Sequence, residues 1–288
     1  MKTMNKILIA GVIFILIGGI FCGAAYAMGE KYMDSTVTNT SEIFANDKIN
    51  SIYISENIAE IKILKTASNS GEIKVTADNV LLDEFKCLIK NDSTLKISYN
   101  PKVVKFGFIS LPSAIFNWGS KTPKIAIYVP DGRIFDEVRF NGGVGEVNAE
   151  QINAQYVILN GGVGEYDIKE MNAGKLDING GMGKVKIDGV INGDATIDSG
   201  VGEMIVSGQI NGNIKLKAGV GSIKFDLTGD ESDYNIKASK GVGTIKINGL
   251  KVSDYKGKYN QNNNGEYNID IDAGVGEISI NIKQYSEK

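Results

Sequence analysis

Two patterns of apolar and polar residues divide the chain. No charge occurs between Ile7 and Gly29, and the run from Ile7 to Ala27 is long enough to cross a bilayer core as a helix rising about 1.5 Å per residue. Later in the chain the apolar residues alternate instead. Leu176 and Ile178 are separated by Asp177, Met182 follows beyond Asn179 and Gly180, and Val185 and Ile187 resume around Lys186. That is the period of a strand. The alternation slips once, at Gly183-Lys184, where a glycine corner turns the chain and keeps both apolar sets on one interior. The pattern predicts two short strands per unit, with Asp177, Asn179, Lys184 and Lys186 in water.

The unit recurs as Gly142-Gly143-Val144-Gly145-Glu146, Gly161-Gly162-Val163-Gly164-Glu165, Gly180-Gly181-Met182-Gly183-Lys184, Ser199-Gly200-Val201-Gly202-Glu203 and Ala218-Gly219-Val220-Gly221-Ser222, each nineteen residues after the last. It returns at Lys240-Gly241-Val242-Gly243-Thr244 and Ala273-Gly274-Val275-Gly276-Glu277, after twenty-two and thirty-three residues, which predicts inserted loops. A unit this short cannot bury an apolar face alone. Stacked about 4.8 Å apart, the units predict an all-β fold, a parallel β-helix-like β-solenoid, with Val144, Val163, Met182, Val201 and Val220 in one interior column. Val163→Asp is then expected to destabilise the fold and Glu165→Ala to change little. Asn141, Asn160 and Asn179 are expected to form an amide ladder along the stack. Alternation alone also permits an antiparallel hairpin stack; the uniform step favours the parallel coil.

Residues 43–134 form a less regular β section. Ser51 to Ile63 resembles a decayed repeat, with Ile58 and Glu60 in the places of Val144 and Glu146. Phe85, Cys87 and Ile89, then Leu95, Ile97 and Tyr99, alternate on either side of Asn91-Asp92-Ser93, a hairpin signal that places Cys87 in the core. Ile125 to Val129 reads as a strand stopped by Pro130-Asp131-Gly132. Between these strands, 103–122 is an apolar loop holding Phe106, Phe108, Phe116 and Trp118. Two roles are open to it: a cap over the N-terminal end of the solenoid, or a membrane or partner contact flanked by Lys102, Lys105, Lys121 and Lys124. The organisation expected is an anchor or signal segment 1–29, a linker 30–42, the irregular section 43–134, regular repeats 135–284 and a tail 285–288.

Lys2 and Lys6 precede the uncharged run while Glu30, Lys31 and Asp34 follow it, so the positive-inside rule places the N-terminus in the cytoplasm and the bulk of a single-pass protein outside. The alternative is a secreted protein cleaved after Ala27, because Ala25-Tyr26-Ala27 fits a small-x-small site. The two cysteines, Cys22 and Cys87, fall on opposite sides of that boundary and offer no intramolecular disulfide framework. Thirty-five glycines against four prolines suit recurring corners, and a net charge of −3 with interspersed signs offers no basic stripe to nucleic acid.

The chain has no histidine, which removes the commonest general base and the Ser-His-Asp and Cys-His arrangements. The Gly-Gly-Val-Gly runs lack the third glycine and the helix of a dinucleotide site. They match the first four places of a calcium-binding β-roll repeat, but Val147, Tyr166, Val185, Met204, Ile223, Ile245 and Ile278 stand where its Asp ligand belongs. Glu146, Glu165 and Glu203 make a column interrupted by Lys184, which reads as charge alternation rather than a carboxylate pair. No enzyme activity, catalytic residue, metal or cofactor is expected.

The N-terminal hydrophobic segment, the strand Leu95-Lys96-Ile97, the strand end Ile127-Tyr128-Val129-Pro130 and the Gly-Val-Gly-Glu ladder together resemble the bacterial putative-adhesin family of β-strand-repeat proteins, over roughly residues 40 to 283. The resemblance implies a β-repeat fold and a role at the Gram-positive cell envelope, and supplies no catalytic residues. The function expected is a non-enzymatic, extracytoplasmic adhesin-like or envelope-scaffolding protein attached through its N-terminal helix, with cell-wall polymer, lipid or a membrane protein as partner. A membrane-anchored sensor or regulator of envelope stress, acting through a membrane-protein partner, is the alternative.

Overall fold

The computed structural model describes residues 37–45, 48–56, 58–67, 71–100, 103–106, 109–112, 122–239, 241–252 and 258–284. The anchor or signal segment 1–29 and the tail 285–288 lie outside them. Among the described residues no helix is long and apolar enough to cross a membrane.

The described chain is a stack of parallel rungs, each giving one strand to each of two faces. The first face stacks β9 (Lys124–Pro130), β3 (Ile58–Thr66), β11 (Val144–Ala149), the start of β13 (Val163–Asn179), β14 (Met182–Ile191), β16 (Val201–Ile210), β18 (Val220–Thr228), β24 (Val275–Lys283) and β20 (Val242–Ile247). The second stacks β6 (Thr94–Tyr99), β2 (Ser51–Glu56), β10 (Phe135–Asn141), β12 (Ile152–Asn160), the end of β13, β15 (Ala195–Asp198), β17 (Ile214–Lys217), β23 (Tyr267–Asp272) and β19 (Tyr234–Ser239). The parallel coil expected from the nineteen-residue step is therefore present. The decayed repeat also falls where its sequence places it, with Ile58 opposite Val144 and Glu60 opposite Glu146.

Stack order departs from chain order at both ends. The rung 51–66 lies between the later strands β6/β9 and β10/β11. The rung 267–283 lies between β17/β18 and the earlier β19/β20. The steps of twenty-two and thirty-three residues are thus not simple loop insertions. The first spans a skipped rung by way of a 3-10 turn at Glu231–Asp233, and the second brings the chain back to fill it.

Antiparallel strands cover the outer edges, fully or in part. β4 (Ile73–Leu81) pairs with β9 and β1 (Val37–Phe44) pairs with β4, while β5 (Phe85–Lys90) pairs with β6 across the Asn91-Asp92 turn expected there. At the other end β21 (Leu250–Lys251) pairs with β20 and β22 (Lys258–Gln261) with β19. β1 begins at Val37, so the expected linker 30–42 extends into the sheet. Cys87 in β5 packs half-buried against the core, and burial pushes its thiol up to about 12, which keeps it protonated and inert.

The interior reverses one expectation. Val163, Met182, Val201, Val220, Val275 and Val242 are 43 to 72 % exposed and point outward. The buried column is Val147, Tyr166, Met204, Ile223, Ile278 and Ile245, followed two residues on by Ala149, Ile168, Ile187, Val206, Phe225, Ile280 and Ile247. From Met182 to Ile187 alternation is unbroken. The phase changes one step earlier than expected, at the Gly180-Gly181 pair, where the chain turns from the second face to the first.

That corner explains the motif. The parallel ladder continues around it, with Val163 N–H on Gly143 C=O at 2.7 Å, Met182 on Gly162 at 2.8 Å and Val201 on Gly181 at 2.8 Å. Backbones pass so closely that a Cβ on Gly202 would sit 1.8 Å from Gly183 O, and Gly202 also holds φ +139. A Cβ on Gly181 would lie 1.7 Å from Gly162 O. The residue before this second glycine tolerates Ser199, Ala218 and Ala273, as the repeats record.

Ile187→Asp, which strands a charge in the interior, is expected to lower stability by more than about 3 kcal/mol. Gly202→Ala should cost a comparable amount through strain and steric exclusion, on the order of 2–4 kcal/mol. Met182→Asp and Val163→Asp should each change stability by less than about 1 kcal/mol. Denaturant midpoints of the four variants check the ranking, and an unstable Val163→Asp would return the valine column to the interior.

Candidate functional site

The outward valines form a strip along one corner of the solenoid. In stack order it reads Val163, Met182, Val201, Val220, Val275 and Val242, and at about 4.8 Å per rung it runs about 24 Å. β-propensity accounts for branched residues here, yet threonine would satisfy it equally, and these positions hold five valines and a methionine. Apolar character has been kept at half-exposed places.

The next outward row sets the strip's charge. Glu146, Glu165, Lys184, Glu203, Ser222, Glu277 and Thr244 stand two residues beyond the apolar positions, in register. Lys184 pairs with Glu203 at 3.2 Å, Glu277 is met by Lys246, and Glu146 accepts from Asn148 Nδ2 at 2.7 Å. With Glu203 and Glu277 met by Lys184 and Lys246, Glu146 and Glu165 are the carboxylates of this row that stand outside those two ion pairs. The charge alternation expected of Lys184 is an ion pair between rungs.

The described chain leaves β6 at Asn100 and enters β9 with Lys124 opposite Glu60, so the aromatic segment 101–121 separates the two strands of one rung in sequence. Within it, β7 (Val103–Phe106) and β8 (Ile109–Pro112) pair antiparallel with each other, so the expected loop holds a short hairpin. Phe106 ends β7; Phe108, Phe116 and Trp118 lie outside the described residues. The edges that a cap would cover are occupied by β4 on β9 and β5 on β6.

The second face carries side-chain ladders. Asn160 Nδ2 donates to Asn141 Oδ1 at 2.6 Å and Asn179 Nδ2 to Asn160 Oδ1 at 2.7 Å, as the repeat predicts. Two further ladders had the same signal and were passed over: Asn211 to Asn192 to Asn172, at 3.1 and 3.3 Å, and Asn268 to Asn213 to Asp194, at 3.2 and 3.0 Å. A shallow groove of about 680 Å³ crosses β15, β17, β23, β19 and β22. Its walls alternate in charge, with Asp270 between Lys215 and Lys237 on one side and Lys217 paired to Asp198 at 3.6 Å on the other. Such walls largely compensate themselves. Among the described residues no three His, Cys, Asp or Glu side chains converge as metal ligands.

Sequence reading missed the exposed strip, and the signal lay in the residues that exclude calcium. Val147, Tyr166, Val185, Met204, Ile223, Ile245 and Ile278 are apolar in every copy and fix the inward phase, so the valines three residues earlier face out.

Asp194 accepts the Asn213 backbone N–H at 2.9 Å and its amide at 3.0 Å, and these bonds hold the carboxyl below the usual aspartate range. A folded-state value lowered in this way stabilises the fold above the unfolded value, about 3.9, and the contribution is lost as pH falls through the folded value. Asp194→Asn should therefore be less stable than the parent at pH 6, with the gap closing toward pH 3. Denaturation midpoints at the two pH values measure it, and a constant gap would reject the carboxylate as the cause.

Among curated proteins no match is found. Solved structures that resemble the chain include a protein named putative cell adhesion protein from Clostridium sporogenes ATCC 15579, at 16% identity, covering 87% of this chain and 100% of that one with a TM-score of 0.33. A second, named putative adhesin, is from Bacteroides fragilis NCTC 9343, at 16% identity, covering 86% and 98% with a TM-score of 0.42. A third, named putative lipid binding protein, is from Parabacteroides distasonis ATCC 8503, at 14% identity, covering 86% and 97% with a TM-score of 0.36. The family described as Toastrack DUF4097 matches residues 49–281, most of the 288-residue sequence, and the chain belongs to it.

Proposed function

We propose that this protein is a non-enzymatic, extracytoplasmic adhesin-like or envelope-scaffolding protein that binds a protein partner along its apolar corner strip. The exposed row Val163, Met182, Val201, Val220, Val275 and Val242 carries this reading, because a contiguous apolar strip rimmed by charge is the kind of surface that marks a contact site. Glu146 and Glu165 beside the strip, outside the ion pairs of Glu203 with Lys184 and Glu277 with Lys246, select among the partners expected from the sequence. Carboxylates along the rim repel anionic lipid headgroups and anionic wall polymers, so the fitting occupant is a protein ridge with an apolar crest and basic edges. Attachment through the N-terminal hydrophobic helix would hold the solenoid at the outer membrane–water boundary, within reach of such a partner.

The test is binding of the protein to isolated cell envelopes. Replacing Val163, Met182, Val201 and Val220 with serine should leave the thermal midpoint within a few degrees, since all four are exposed, and lower envelope binding by about tenfold or more. Protease treatment of the envelopes should abolish binding, and lipid extraction should not. Undiminished binding by the serine variant would remove the strip as the contact site. Binding that survives protease and is lost on lipid extraction would assign the surface to lipid.

A further inference from the structure

The rung 267–283 follows 234–247 in the chain yet lies beneath it in the stack. Val275 is paired with Val220 below and Val242 above, and Ile269 with Ile214 below and Ile236 above. When 234–247 forms first, it must sit two rung spacings above β18, about 9.6 Å, over a space not yet filled. Both sides of that space present unpaired parallel edges, which readily recruit a strand. Filling it buries Ile269, Ile271, Ile278 and Ile280, none more than 4 % exposed.

The space is selective. A Cβ at Gly276 would lie 1.8 Å from Gly221 O, and a Cβ at Gly243 would lie 1.8 Å from Gly276 O, so an occupant must carry glycine at that register to fit between. Its valine N–H must also reach Gly219 C=O, as Val275 does at 2.8 Å, while its Gly274 C=O receives Val242 N–H at 2.8 Å. A second copy of this chain supplies a segment meeting every condition. We propose that the space between β17/β18 and β19/β20 is an acceptor slot, and that the rung 267–283 is exchanged between copies to join them head to tail.

A polar latch holds the rung in its own chain. Asn263 Nδ2 donates to the carbonyls of Glu231 and Tyr234 at 3.0 and 3.1 Å, and Asn235 Oδ1 receives the backbone N–H of Asn263 and Gly265 at 3.1 Å each. These bonds tie the segment that precedes the rung to the turn where the slot opens. Loosening them favours exchange. The inference uses the glycine register and not the apolar character of the corner strip, so it stands or falls apart from the function proposed above.

The test joins two full-length chains in a Cys22→Ser, Cys87→Ser background. One carries Ser222→Cys and the other Glu277→Cys, positions that face each other across β18 and β24 and point outward. Both thiols are exposed, so exchange is read as the two-chain disulfide formed in excess over that between two chains both carrying Ser222→Cys, whose thiols the exchange does not bring together. A single chain carrying both cysteines should close an intramolecular disulfide, confirming fold and register. After mixed refolding, the two-chain disulfide should appear, and Asn263→Ala in both chains should raise its rate of formation between native chains by about tenfold. Three results would overturn the proposal: no such excess of two-chain disulfide after mixed refolding at high protein concentration, no intramolecular disulfide in the double variant, or larger species by light scattering that lack the two-chain disulfide. The last would place self-association on another surface.

Discussion

The close passage of glycine backbones at one corner is the constraint on which the rest of this fold depends. A parallel coil must keep its hydrogen-bond ladder while the chain turns from one face to the other, or a buried edge is left unpaired. Here the ladder is carried through the turn by bonds such as Met182 N–H to Gly162 C=O, and the approach leaves no room for a Cβ on Gly181 or Gly183. Gly183, at φ +138, adopts backbone that other residues avoid, which sets the direction of the residues around it. Met182 is thereby turned outward and Val185 inward. The repeated Gly-x-Gly is a packing requirement of the corner, and the residue between the glycines is left free to meet solvent or a partner.

Stacking imposes a second condition, because each outward position lies about 4.8 Å from its copies above and below. A column of one charged residue would repel itself along its length. Two solutions are visible. Amides are self-complementary, donating in one direction and accepting in the other, and they run unbroken through Asn141, Asn160 and Asn179. Charged columns are interrupted instead, as where Lys184 enters the glutamate column and pairs with Glu203, or where Lys215, Asp270 and Lys237 follow one another. Most individual pairs are exposed and worth little in stability. Their arrangement lessens a repulsion that the stack still carries where Glu60, Glu146 and Glu165 follow one another in register.

Period, strand character, parallel stacking and the asparagine ladder were all legible in the sequence, since each is a local regularity repeated nineteen residues on. The decayed repeat at Ile58 and Glu60 and the hairpin around Asn91 were legible for the same reason. The phase of the valine column was not. Alternation fixes which residues share a side, but the choice of inside requires knowing where the chain turns, and the pair Gly180-Gly181 and the single Gly183 offered two turning points. Met182 continues the apolar series of Leu176 and Ile178, which favoured the wrong one. The rung order was also hidden, because a step of thirty-three residues is the same string whether it closes a loop above the stack or returns to fill a gap within it. The two strands of the rung β6/β9 are separated in sequence by residues 101–121, and no repeat of the nineteen-residue period marks them as partners.

Interchangeable rungs create a hazard that the ends of the stack address. The rungs from 135 onward carry the same corner, so the outer edge of one copy could in principle continue into the next, as fibrils do. β4 and β5 at one end, and β21 and β22 at the other, run antiparallel to the rungs they cover, and none contains the Gly-x-Gly corner. A rung from another copy meeting these strands finds neither the direction nor the close backbone approach that its own corner requires. Where these strands lie, end-to-end growth is opposed by geometry and not by charge alone. Parallel edges with the correct glycine register remain inside the stack, where the chain doubles back, and along Val242–Ile245 at its last rung, where β21 meets only Lys246 and Ile247; it is there that the compatibility of the repeats has consequences for assembly.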